Sequence, residues 1–304
     1  MDYVLKTKDL CKQYKDFKAL KGLTMNVPKG AIYGFVGRNG AGKTTLIRII
    51  CGIQFSTSGS FELYGVKDSD PAISETRRRM GAIVETPSIF PYLTARENLE
   101  MQYDIMGMPD YSSIDGLLEL VGLKNTGKKL AKNFSLGMRQ RLAIAVALCG
   151  NPDLLIFDEP INGLDPQGII EIRELILKLN KERNITIIIS SHILDELAKL
   201  ATHYGFIDNG SIVREMSAEE LETACRKCVR IKVTDCTAAV KALDDMEFDY
   251  KISDENVIDI YAKPNITRLA AALSKEGCEI LSCTEHDENL EGFFISLVGG
   301  DSNE

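Results

Sequence analysis

No apolar run in this 304-residue chain approaches the roughly 18 residues that would cross a bilayer. The first ten residues, MDYVLKTKDL, also lack the apolar core of a secretory signal. Both absences point to a cytosolic protein that reaches a membrane only through a partner. There is no internal repeat, no low-complexity linker and no sustained heptad, which excludes a solenoid, a long tether or a coiled-coil rod. Cysteine is dilute: eight thiols at irregular spacing between Cys11 and Cys283 fit reduced side chains better than a disulfide framework. CRKC, at Cys225 and Cys228, invites a metal or redox reading, but no second Cys or His pair stands at zinc spacing. Basic residues are scarce in the tail. Up to Arg214 there are 27 Lys and Arg against 24 Asp and Glu, and from Glu215 onward 9 against 20; the balances of +3 and −11 sum to −8. Such a tail argues against a nucleic-acid or anionic-lipid surface there, the plainer alternative being a solvated face.

What is present is an ordinary globular composition, 44% apolar, enough for one large domain and a smaller one. GLTMNVPKGAIYGFVG reads as short alternating strands, a turn at Pro28-Lys29-Gly30 and a buried strand from Ala31 to Val36. From Pro91 to about Asn133 the pattern turns helical, opened by a capping box at Thr94 and Glu97. DLLIFDEP, GIIEIRELILKLNKE, ITIIISSH and ILDELAKLA then alternate strand and helix, which predicts a mainly parallel α/β sheet with its ligands at the carboxyl ends of the strands. After Glu215 the rhythm becomes β-α-β-β-α-β with a closing helix, a small α+β domain of ferredoxin-like pattern. The predicted domains are 1–214, with a helical subdomain at about 88–140, and 215–304.

Between the buried strand and the helix TTLIRIICGI lies Gly37-Arg38-Asn39-Gly40-Ala41-Gly42-Lys43-Thr44, a match to G-x-x-x-x-G-K-[ST] in the context its mechanics require. Glycines let backbone N–H groups close around phosphates, Lys43 reaches the β and γ groups, and the Thr44 hydroxyl suits Mg²⁺. LLIFDEP brings Asp158 and Glu159 to the ligand edge of the sheet. Asp158 fits a Mg²⁺ partner, and Glu159 fits the base that polarises an attacking water. A second anion site is suggested at Ser135-Leu136-Gly137, ahead of the helix in NFSLGMRQRLAIAVAL, where the first N–H groups have no evident local acceptor.

The P-loop, SLGMRQR, LLIFDEP, NGLDP and SSH, in this order and spacing, resemble the ATP-binding cassette (ABC) family over Met1 to about Arg214. The resemblance implies a P-loop ABC ATPase core, with an antiparallel β-subdomain and a helical subdomain beside the parallel sheet. It implies ATP and Mg²⁺ as cofactors, with the P-loop contacts extending to Thr45. Ser135, Leu136 and Gly137 match the signature loop that caps the ATP of a partner subunit, although the first glycine and the glutamine of the usual motif are replaced. Tyr14 matches the aromatic that stacks on adenine, against the plainer reading of a strand-edge tyrosine. His192 matches the switch histidine. Asp165 matches the loop crossing the dimer interface, against the reading of a turn before a helix.

Glu85 stands where the family usually has a glutamine that touches Mg²⁺ and water; a carboxylate beside a triphosphate must bind the metal or be swung away. Together with PxxxPxLTARENL and FSLGMRQRL, that change resembles exporters of the bacitracin-resistance and lantibiotic-self-protection type. The expected function is thus the ATP-hydrolysing subunit of a transporter. It would work as a head-to-tail homodimer beneath an integral membrane permease, peripheral on the inner face of the cell membrane, with no nucleic acid bound and no insertion into the bilayer. The rival is a soluble ABC-type ATPase of translation or nucleic-acid maintenance. One cassette, no coiled-coil insertion and an acidic tail weigh against it.

Overall fold

Alternating apolar and polar residues in the opening segment produce two long antiparallel strands, β1 (Tyr3–Tyr14) and β2 (Phe17–Pro28). The all-buried β3 (Ile32–Val36) follows and feeds α1 (Lys43–Ile50). The chain then returns as β4 (Ser58–Leu63) and β5 (Val66–Lys67), completing an antiparallel sheet of order β2-β1-β4-β5. This computed structural model describes residues 2–86, 88–225, 228–262, 264–286 and 290–299.

After α2 (Ile73–Arg77) and β6 (Met80–Ile83) comes the helical stretch of α3 (Ala95–Ile105), α4 (Ile114–Leu120) and α5 (Leu136–Ala147). The capping box forms as predicted: the Thr94 hydroxyl accepts the Glu97 N–H at 3.3 Å, and the Glu97 carboxylate accepts the Thr94 N–H at 2.7 Å. The Thr94 backbone N–H, and after it the Thr94 side chain, hold the Glu97 carboxyl below its usual range. The remaining elements of this unit are β7 (Leu154–Asp158), α6 (Pro166–Arg183), β8 (Thr186–Ser191), α7 (Leu194–Ala198), β9 (His203–Asp208) and β10 (Ser211–Ser217). They build a second sheet of order β10-β9-β3-β8-β7-β6, parallel except for the β9-β10 pair. β3, β7 and β8 are buried along their whole length, which is why they read as unbroken apolar runs.

The tail unit comprises α8 (Ala218–Ala224), β11 (Cys228–Val233), α9 (Cys236–Asp245), β12 (Tyr250–Asp254), β13 (Val257–Ile260), α10 (Ile266–Lys275), β14 (Ile280–His286) and α11 (Leu290–Gly299). Its sheet has the order β12-β13-β11-β14, antiparallel throughout, the ferredoxin-like arrangement expected from the sequence. Ile231, Ile258 and Ile260 pack there against Leu243, Leu269 and Leu273.

The compact units are Met1–Ala218 and Glu219–Glu304. β10 therefore runs across the charge break at 214 and 215. Glu215, the first acidic residue counted with the tail, is bonded into the large unit: its carboxylate accepts the Tyr33 hydroxyl at 2.6 Å and the Asn26 backbone N–H at 2.9 Å. Burial, reinforced by Glu215, pushes the Tyr33 hydroxyl well above its ordinary pKa. Among the described residues no helix is long and apolar enough to cross a membrane. The eight cysteines are free thiols, and burial pushes those of Cys51 and Cys149 up to about 12, far from a reactive thiolate. Arg226 and Lys227 of the CRKC motif lie outside the described residues.

Candidate nucleotide site

β3 ends by delivering the chain into a loop too tight for side chains at two places. A Cβ on Gly37 would lie 2.6 Å from the Ile207 carbonyl oxygen, and one on Gly42, at φ +112°, 2.7 Å from that of Ala19. Gly42 opens α1 without a side-chain cap, so the first N–H groups of that helix have no such acceptor. Lys43 is buried, and its ammonium bends back to donate to the carbonyls of Gly37 (2.6 Å) and Arg38 (3.3 Å). The Arg38 carbonyl also accepts the N–H of buried Ala41 at 3.1 Å, while Arg38, Asn39 and Gly40 stand exposed at the loop crest.

Strand register assembles the rest. Val36 pairs with Ser191, and Asp158 with Ser190, so the carboxyl ends of β3, β8 and β7 lie side by side. The Thr44 hydroxyl donates to Asp158 Oδ2 at 2.8 Å, and the Ser190 hydroxyl donates to Asp158 Oδ1. Ser190 also receives the Glu159 N–H, on its carbonyl and on its hydroxyl, each at 3.1 Å. Glu159 turns at φ +52°, and its carboxylate divides between Lys43 Nζ (Oε1, 3.5 Å) and His192 Nδ1 (Oε2, 2.8 Å). A carboxylate so held, beside a buried ammonium and a helix start, is placed to orient a nucleophilic water. The Thr44 hydroxyl and the Asp158 carboxylate are hard oxygen donors, as Mg²⁺ requires. No cluster of three His, Cys, Asp or Glu occurs among the described residues; two protein donors completed by phosphate oxygens are the usual Mg²⁺ arrangement in such sites. The residues present thus fit a Mg²⁺-nucleotide.

Tyr14 ends β1 half-exposed. Its hydroxyl donates to Gln54 Oε1 at 2.6 Å, Gln54 in turn donates to the Thr45 carbonyl at 3.2 Å, and the Lys12 ammonium sits 5.1 Å from the ring centre. Gln54 thereby ties Tyr14 to the P-loop helix. Sequence reading missed both it and Ser190; the hydroxyl run ending in SSH carried a signal for the serine, and nothing local pointed to Gln54.

Glu85, at φ +61° beyond β6, pairs with Arg48 Nη2 at 2.6 Å, and no hydrogen bond joins it to Thr44 or Asp158. Ser135 corrects one expectation, because the start of α5 is not without a local acceptor: its hydroxyl caps that helix by accepting the Met138 N–H at 3.2 Å. Asp165 caps α6 in the same way, accepting from Gly168 at 3.2 Å. These two starts are neighbours, since a Cβ on Gly137 would find only Leu164, at 3.9 Å, and one on Gly163 only Leu136, at 3.4 Å. Two groups result. Lys43, Thr44, Asp158, Glu159 and His192 form one constellation with Tyr14 linked through Gln54; Ser135, Leu136, Gly137 and Asp165 form another, with no hydrogen bond or ion pair among the described residues joining the two.

Comparison with known proteins gives this geometry a family context. A family profile described as ABC transporter matches residues 20–162. The bacitracin transport ATP-binding protein BcrA of Bacillus licheniformis is 44% identical over 304 residues, 99% of each chain. The lantibiotic transport ATP-binding protein SrtF of Streptococcus pyogenes is 44% identical over 212 residues, 70% of this chain and 90% of that one. Among solved structures, the dimeric post-hydrolysis state of the ATP-binding cassette MJ0796, bound to ADP and Pi, superposes with a TM-score of 0.63 at 26% identity over 70% of this chain and 98% of that one.

Proposed function

Because the chain belongs to the ABC transporter family, whose ATP-binding subunits hydrolyse ATP to power transport, we propose that it energises export of an antimicrobial peptide of the bacitracin or lantibiotic kind. The observation carrying this is the 44% identity to a bacitracin transport subunit along 99% of both chains, tail unit included. A soluble role in translation or nucleic-acid maintenance has no comparable support.

In this reading the P-loop and Lys43 hold the triphosphate, Tyr14 stacks on the base, and Thr44 and Asp158 hold Mg²⁺, which neutralises charge on the phosphates when bound. Glu159 polarises water and His192 orients Glu159. Ser135, Leu136 and Gly137 reach the nucleotide of a second copy across a homodimer, with Asp165 at the seam. A permease subunit docks on the helical stretch and holds the protein at the inner membrane face. Supporting this last element, Met101 and Ile105, four apart on α3, are exposed together with Tyr92 and Phe90 just before it.

The test is to express the chain together with a bacitracin-type permease subunit in a peptide-sensitive bacterium and measure the inhibitory concentrations of bacitracin and of a lantibiotic. Protection that vanishes with Glu159→Gln is expected; full sensitivity to both peptides with the intact pair would overturn the substrate class.

A further inference from the structure

Glu85 brings a negative charge to the loop after β6, at the edge of the sheet where Asp158 and Glu159 already stand. Left alone, a third carboxylate there would oppose a triphosphate. The structure gives it a cation. Arg48 Nη2 lies 2.6 Å from Glu85 Oε1, and Glu85 is the acidic partner of the Arg48 side chain. Arg48 follows Thr44 by four residues in α1, so the two share one helix face, one turn apart. The left-handed backbone of Glu85, φ +61°, is a conformation that non-glycine residues adopt seldom, and it turns the loop where the carboxylate meets that face.

We infer that Arg48 is a positioning residue for nucleotide binding: it holds and neutralises the Glu85 carboxylate, so that an acid at the position where the family usually carries glutamine does not repel the triphosphate. This rests on reading Lys43 and Thr44 as the triphosphate site. The ammonium of Lys43 is engaged with the loop carbonyls and Glu159, so it is not the group that offsets Glu85. An amide at position 85 would carry no charge to offset. Arg48 and Glu85 are therefore a matched pair, and the cost of losing Arg48 depends on which residue occupies position 85.

The experiment is a double-substitution cycle read by ATP binding, using a fluorescent ATP analogue titrated with and without Mg²⁺, and not by turnover. Arg48→Met should weaken binding about tenfold, the scale of one uncompensated charge near a polyanion at a partly exposed site, and less as ionic strength rises. Arg48→Lys keeps the charge and should retain most of the affinity. With Glu85→Gln already present, Arg48→Met should cost clearly less than it does beside Glu85, because no carboxylate is then released toward the triphosphate and only the direct pull of the arginine charge is lost. Both partners are substantially exposed, so thermal unfolding should report folded protein in every variant. An equal loss with Glu85 and with Gln at position 85 would overturn the inference, since Arg48 would then act on the nucleotide or the fold directly. No loss on Arg48→Met would overturn it too, leaving the pair incidental. Lys43→Ala serves as the separate control: retained binding there would instead remove the triphosphate site on which the inference stands.

Discussion

α1 and α5 both begin beside a glycine, Gly42 and Gly137, and helix starts attract anions, yet the two are built differently. The start of α1 is closed around by its own chain. Gly42 abuts Ala19, Gly37 abuts Ile207, the helix has no side-chain cap, and Lys43 is buried beside it. The start of α5 is capped by Ser135, carries an exposed Leu136, and leaves Gly137 facing only Leu164. A serine hydroxyl that accepts the Met138 N–H still has its own proton to donate. The first start fits the triphosphate site proposed for it; the second is a capped helix start, to which the proposed homodimer assigns the nucleotide of the other copy. The contrast teaches that the P-loop reading rests on contacts within one chain, whereas the signature reading rests on the proposed homodimer and is to be tested there.

The sharpest break in that contrast comes from chemistry at the closed start. Glu159→Gln should lower ATP turnover about 10³-fold, the scale of a lost general base, while binding persists and an ATP-bound dimer accumulates on size-exclusion chromatography. Near-normal turnover would remove Glu159 from the reaction. Next, a dimer mixing Lys43→Ala in one subunit with Ser135→Arg in the other should occlude one ATP per dimer, counted with radiolabelled nucleotide, and none when both changes share a subunit. The reverse pattern would make both helix starts serve the same chain. A third comparison sets glycine against glycine: Gly42→Ala, strained at φ +112° and 2.7 Å from a carbonyl oxygen, should cost stability and binding together, whereas Gly137→Ala should melt normally and lose only dimer occlusion. Equal melting of the two variants would erase the structural distinction. The smallest effect is expected for Ser135→Ala, about 1 kcal/mol from the lost cap, with Ser135→Thr restoring most of it in chemical denaturation.

How much of this could be read in advance followed from how local the cause was. The P-loop, LLIFDEP, the Thr94 capping box and the β-α-β-β-α-β tail each announce themselves within a few residues, because strand, turn and helix signals adjoin the chemistry. The division of Glu159 between Lys43 and His192 depends on three strands arriving in register, and the Gln54 link to Tyr14 spans 40 residues. Neither has a local trace. Arg48 was invisible for the same reason, as its partner lies 37 residues away. At Ser135 only the lack of a local acceptor is overturned: a serine before an apolar helix is a natural cap, and that signal stands in the sequence itself.

The bond from Tyr33 to Glu215 bears on how such chains could exchange parts. Charge would put the seam at Arg214, and a recombination event or a designed chimera cut there would carry away the acceptor of a buried hydroxyl on the strand that leads into the P-loop. A cut after Ala218 leaves that acceptor with the ATPase. A hybrid joined at the end of β10 keeps the Tyr33–Glu215 bond, and a library joined at the earlier point would lose members for a reason unrelated to what the tails do.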